Sequence, residues 1–211
     1  MSQVALPIFP LPDLTFFPRT MLPLHIFEAR YRAMVTDCLA RDKRLAVVGL
    51  KPGYEATYDG KPPVYAVTGV GRIVQWERLA TGRYNLLLRG ERRARIDHEL
   101  PADTLYRMVA ATPLEETGAE GPAVLALAGR VKARCRQILA AVGRSGAELQ
   151  QTLDALSDPA QLSDQVASAL VPIHATRQAL LEELHVERRL ERLAVALDDL
   201  LSQLTGEGGR A

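Results

Sequence analysis

Arg83, Arg89, Arg92, Arg93 and Arg95 form the densest group of chemically capable side chains in the chain. Guanidinium groups at that density can neutralise phosphates, so the group is the best signal for RNA or DNA binding, with Arg89, Arg92, Arg93 and Arg95 as the contacts. Glu91, Asp97 and Glu99 interleave with them, and alternating charge along short strands is also the pattern of a solvated sheet face. Stacking aromatics nearby are limited to Tyr84 and Trp76. Other candidates for chemistry are thinner. His25, His98, His174 and His185 are scattered, whereas a metal centre needs several ligands to converge, so neither a metal nor a cofactor is expected. A phosphate-cradling loop is approached only from Gly53 to Gly60-Lys61-Pro62. There six residues separate the glycines where four are needed, and proline replaces the hydroxyl. Gly69-Val70-Gly71 opens like a dinucleotide fingerprint, but Val74 stands where the third glycine belongs and no helix follows. Cys38 and Cys135 fall on predicted helix faces as small buried hydrophobes. No nucleophile, base and oxyanion donors converge, and no catalytic residue is assigned.

Three aromatic residues could instead serve binding. Phe16, Phe17 and Trp76, if they line a surface groove, would hold apolar segments of an unfolded polypeptide, since an exposed apolar patch marks an interaction site. With aromatics at only 5% of the chain, the competing expectation for each is a place in the core.

The elements that must position these residues begin with a proline-threaded run, LPIFPLPDLTFFPRTMLPLHIFEARYRAMV. Pro7, Pro10, Pro12, Pro18 and Pro23 each fix φ and remove a donor, which argues for a bent, extended path and against a helix or a regular central strand. Phe27, Tyr31, Met34, Val35 and Cys38 then recur on one helical face, with Glu28 and Arg32 as an i, i+4 pair. Leu45–Leu50 reads as a short buried strand and Val64–Trp76 as a long one, bent or bulged at Gly69 and Gly71. Arg83–Leu88 completes a hairpin, and Arg92–Ile96 and Tyr106–Ala111 are further short strands. One helix among many bent strands suits a small closed or partly closed barrel. From Gly118 the period turns helical: a helix opening at Pro122, another capped at Ser157-Asp158-Pro159, a third over Thr176–Leu184, and a last one with Val186, Leu190, Leu193, Leu197 and Leu200 on one face. These make a bundle of local hairpins, with a dimer seam along the last helix as the alternative to internal packing.

Composition is that of an ordinary globular protein, 47% hydrophobic and 24% charged over 211 residues, with a net charge of +1. Neither half is strongly basic, and arginine outnumbers lysine 22 to 4, which is read as base composition. No run approaches the ~18–20 apolar residues of a membrane span. The first residues lack a signal-peptide pattern, and a reduced cytoplasmic protein is expected.

The opening run resembles the start of the Lon protease amino-terminal domain, the Lon substrate-binding domain. LAVVGL, VTGVGRIVQ, GRYNLLLRGERRARI, DPAQLSDQVAS and LLEELHVERRLERLAVAL continue the resemblance in the family's order, over roughly residues 4 to 204. It implies an α+β fold: a PUA-like β pseudo-barrel over residues 1–117, an α-helical bundle over 118–205, and a disordered tail at 206–211. His185 stands where the family commonly has an acidic residue, leaving the last helix less well capped. Full-length relatives carry an ATPase module and a Ser–Lys protease domain after this region, and neither is expected in a chain that ends in a Gly-rich tail. The resemblance therefore implies a stand-alone, non-enzymatic domain that binds unfolded or degron-bearing polypeptides or a protein partner, as an adaptor in proteolysis or quality control. A nucleic-acid-binding barrel is the alternative. Oligomeric state stays open.

Overall fold

The computed structural model describes residues 2–57, 60–144 and 147–207, with the backbone alone at 147–149 and 207. Contacts divide the chain into two units, Met1–Leu114 and Glu115–Ala211. The fold is α+β; among the described residues the first unit holds six strands and the second five of the six α-helices.

β1 (Val4–Leu11) carries Pro7 and Pro10, yet it lies between β3 (Arg44–Gly49) and β6 (Met108–Leu114). The expectation that proline bars this segment from a central strand is corrected. β1 pairs antiparallel with β6 over Val4–Pro7 and parallel with β3 over Ile8–Leu11, exchanging one neighbour for the other midway. The Ile8 amide donates to Arg107 O at 3.0 Å on the β6 side, and Leu11 O accepts from the Leu50 amide at 3.1 Å on the β3 side. Alternation along the strand then turns the Pro7 nitrogen toward β3 before that pairing begins. The Pro10 nitrogen faces β6 after that pairing has ended, so neither ring displaces a ladder hydrogen bond.

β4 (Val67–Arg78) and β5 (Tyr84–Leu100) complete a ring, because β6 pairs with both β1 and the second half of β5. β2 (Met21–Ile26) adds to the first half of β5, outside the ring. The two strands expected at Arg83–Leu88 and Arg92–Ile96 are one 17-residue strand. It changes neighbour where the β4–β5 register slips, Val70 facing Arg92 and Gly71 facing Gly90. The bulge expected from Gly69 and Gly71 is present there. Leu6, Ile8, Ala46, Val48, Val70, Ala94, Val109 and Ala111 come from all five ring strands and fill the barrel.

α1 (Ala29–Leu39) packs Tyr31, Met34, Val35 and Cys38 into a second cluster with Phe9, Phe16, Val47, Ile73 and Leu88. Each such side chain contributes about 2 kcal/mol of burial. Phe27, expected on that face, precedes the helix and is exposed. Glu28 pairs with Arg30 at 2.9 Å, not with the Arg32 expected from i, i+4 spacing.

In the second unit, α2 (Pro122–Ala141) and α6 (Val186–Glu207) are the main packing pair, joined by α3 (Ala147–Ala155), α4 (Pro159–Leu170) and α5 (His174–Glu182). Pro122 opens α2, and the Asp158 carboxylate caps α4 by accepting from the Ala160 amide at 2.9 Å. Arg189 of α6 is fully buried: Nε donates to Ser163 Oγ at 2.9 Å and lies 3.7 Å from Asp164 Oδ1, and its other nitrogens reach Glu183 O and the Glu116 carboxylate. The expected capping defect at His185 is offset by Glu183, whose carboxylate accepts from the His185 amide at 3.1 Å. Of the expected tail, Gly206 and Glu207 continue α6, and residues 208–211 lie outside the described residues.

Candidate binding groove

Phe16 and Phe17, expected as polypeptide contacts, are buried at 2% and 0% exposure. The segment carrying them crosses the β4–β5 bulge so closely that a Cβ on Gly69 would overlap Phe16 O, and one on Gly90 would overlap Phe17 O. Both rings therefore belong to the barrel's packing and offer no surface. Trp76 is 46% exposed, but the ammonium of Lys43 sits 4.3 Å from its ring centroid, covering one face.

The arginines do not share a face. Arg89, Arg92 and Arg95 are exposed, whereas Arg93 is buried with its guanidinium 6.0 Å from the Phe17 ring centroid. Arg95 is engaged by Asp97 at 3.1 Å. Glu91 lies between Arg44 at 2.6 Å and Arg72 at 2.9 Å. Burial alone would raise the Glu91 carboxyl, but the two guanidiniums outweigh it and hold the group below the usual carboxylate range. Much of the positive field is thus cancelled locally, and the exposed pair Arg89 and Arg92 is what remains of the expected nucleic-acid face.

A groove of about 360 Å³ opens on the barrel unit among β1, the first turn of α1 and the β5–β6 connection. Pro10, Tyr31, Leu50 and Met108 line its floor, Ile8 being turned into the barrel, and Leu105 stands at 71% exposure in the lining. Its position follows from its neighbours. Thr104 Oγ1 donates to Tyr106 O at 2.7 Å, and the Tyr106 hydroxyl donates to Asp37 Oδ2 at 2.6 Å. With Tyr106 turned inward and tied to α1, Leu105 is left outward on the exposed bend that precedes β6. Burial, and then the Asp37 charge, push the Tyr106 phenol up to about 12, so it acts as a donor and not as an ionised base.

Charge rims the groove. Glu99 accepts from Arg107 and lies 3.3 Å from the Lys61 ammonium, while Arg107 also donates to Pro62 O at 2.9 Å. Burial raises the Glu99 carboxyl, but Arg107 and Lys61 bring it below its ordinary value, so the rim stays ionised at neutral pH. Arg30 lies over the Tyr31 ring at 4.6 Å and is paired with Glu28 at 2.9 Å. Apolar residues with an ionised rim, three cations sharing Glu99 and Glu28, suit a large apolar side chain carried on a polar or acidic chain. The expectations from sequence missed this groove. Its residues come from five separate stretches, and the one local signal was Leu105 beside Asp103 and Thr104 in the turn PADTLYR.

Burial pushes both cysteine thiols up to about 12, which leaves them inert as nucleophiles at neutral pH. Among the described residues no three His, Cys, Asp or Glu side chains gather as a metal site, and no helix is long and apolar enough to cross a membrane.

A family model for the ATP-dependent protease La (LON) substrate-binding domain matches residues 5–199. The chain is 28% identical over 192 residues to Lon protease 1 of Syntrophobacter fumaroxidans, covering 91% of this chain and 23% of that protein. It is 29% identical over 189 residues to Lon protease 3 of Sorangium cellulosum, covering 89% of this chain and 22% of that protein. The chain thus spans about a quarter of the length of the curated relatives it matches. In structure it is similar to the N-terminal domain of Mycobacterium avium complex Lon protease, with a TM-score of 0.75 at 23% identity, over 93% of this chain and 99% of that one. A Lon N-terminal domain protein from Xanthomonas campestris aligns with a TM-score of 0.67 at 25% identity, over 91% and 98% of the two chains. With the match running through both units, the chain belongs to the family of the ATP-dependent protease La (LON) substrate-binding domain.

Proposed function

We propose that this chain is a non-catalytic polypeptide-binding domain whose groove beside Leu105 receives an apolar side chain of an unfolded or degron-bearing client, or of a protein partner. The observation that carries the reading is Leu105, exposed in an apolar groove with Arg107, Lys61 and Arg30 around it. The family's own description as a substrate-binding domain supports it. In the cytoplasm such a domain acts as an adaptor in proteolysis or quality control. Probing a peptide array with the protein and with Leu105→Asp tests the reading. Apolar spots flanked by acidic residues should bind the native chain and lose the variant, and an unchanged pattern would remove the groove from the account.

Exposed Arg89 and Arg92 have no acidic partner among the described residues, and they favour nucleic acid as the second reading. That reading requires affinity that falls steeply with salt, and a slope that shrinks in Arg89→Ser/Arg92→Ser.

A further inference from the structure

α6 has two faces. Val186, Leu190, Leu193, Ala194 and Leu197 are buried in the bundle, which answers the expectation of a dimer seam on the leucine face: internal packing occupies it. The opposite face carries Arg188, Arg192, Val195, Ala196, Asp199 and Gln203, spaced at three and four residues. There Val195 is 57% exposed, and Ile173 of the α4–α5 connection, at 60%, flanks it across a shallow groove of about 170 Å³.

The order of charges on this face says what fits it. Arg192 and Asp199 stand at equal distances along the helix on either side of Val195–Ala196, and Arg188 and Gln203 repeat that symmetry one turn further out. Asp199 has no cationic partner among the described residues. Arg192 shares the single carboxylate of Glu183 with Arg188, at 3.2 Å and 3.5 Å, so cationic charge is left over. We propose that this face of α6 is the self-complementary surface of a two-fold homodimer, in which Arg192 of each copy meets Asp199 of the other.

A two-fold axis through Val195–Ala196 runs the two helices antiparallel. It forms the Arg192–Asp199 pair twice and sets Val195 against Ala196, whose small side chain lets the axes approach. A parallel arrangement would set arginine against arginine and aspartate against aspartate, so the charges also select the orientation. The proposal is independent of the groove in the barrel unit.

Reversing one charge at a time tests it on the full chain. Sedimentation equilibrium should show the native chain associating to dimers across the micromolar to millimolar range. Arg192→Asp alone and Asp199→Arg alone should each lose association by about tenfold or more, because like charges then meet twice. Mixed in equal amounts, these two variants become complementary and should recover a dimer holding one of each. Val195→Asp, an exposed site, should leave helicity intact and abolish association. A chain that stays monomeric at all concentrations, a dimer that survives both reversals, or a mixture that does not associate would each overturn the proposal.

Discussion

The carbonyl oxygen of Phe16 occupies the space that a Cβ on Gly69 would need, and the same crossing brings the Phe16 ring to 2.5 Å from the Cβ position of Gly71. The chain passes over the β4–β5 bulge backbone to backbone, and this close approach buries Phe16 and Phe17. Gly69→Ala must push the crossing segment away, so it should cost about 3 kcal/mol or more. Gly129→Ala, in the middle of α2 with open space around it, should instead stabilise by about 0.5–1 kcal/mol. Thermal melts of the two variants check the contrast, and a tolerated Gly69→Ala would contradict the crossing.

Much of this was legible in the chain. The bulge at Gly69 and Gly71, the Pro122 and Asp158 helix starts and the helical face Tyr31–Met34–Cys38 all follow from local chemistry. What escaped was non-local. β1 tolerates Pro7 and Pro10 because it changes neighbours midway, a property of β3 and β6 as much as of β1. Phe16 and Phe17 are read as surface or core only once Gly69 and Gly90 are known to lie beneath them. Arg93 breaks the expected basic face because it packs against the Phe17 ring while its neighbour Ala94 fills the barrel, and the groove around Leu105 exists only after five stretches of chain meet.

Arg189 is the most committed polar residue of the helical unit, tying α6 to Ser163 and Asp164 of α4 and to Glu116. Arg189→Leu removes the guanidinium beside buried Asp164 and half-buried Glu116 and should cost about 3–5 kcal/mol. Chemical denaturation measures it. Arg188→Leu, an exposed neighbour, should change stability by less than about 1 kcal/mol.

Acid should weaken the barrel unit. Glu91 and Glu99 are held below their ordinary value of 4.5 by arginines and a lysine, against the upward push of burial. The unfolded chain then takes up protons first, so their stabilisation is complete above about pH 4.5 and is lost as pH falls through the lower folded values. Denaturation midpoints between neutral and acid pH should fall in that window, and Glu91→Gln should flatten the fall. A slope unchanged by the variant would contradict the assignment.

Cys38 and Cys135 should resist alkylation in the native chain at mildly alkaline pH, since burial raises both thiols to about 12. Each should react once denaturant unfolds its own unit. Mass-spectrometric counting of modified thiols across a denaturant series reads this directly, and rapid labelling of either cysteine in the native chain would count against its burial.

The groove at Leu105 is proposed to take an apolar side chain of a polypeptide. The most direct measurement is calorimetric titration of a permanently unfolded model protein into the native chain and into Leu105→Asp. Binding should be saturable with a negative heat-capacity change, from buried apolar surface, and weakened about tenfold or more in the variant while its melting temperature is retained. Equal affinity for the native chain and Leu105→Asp, or no saturable heat with either, would contradict it.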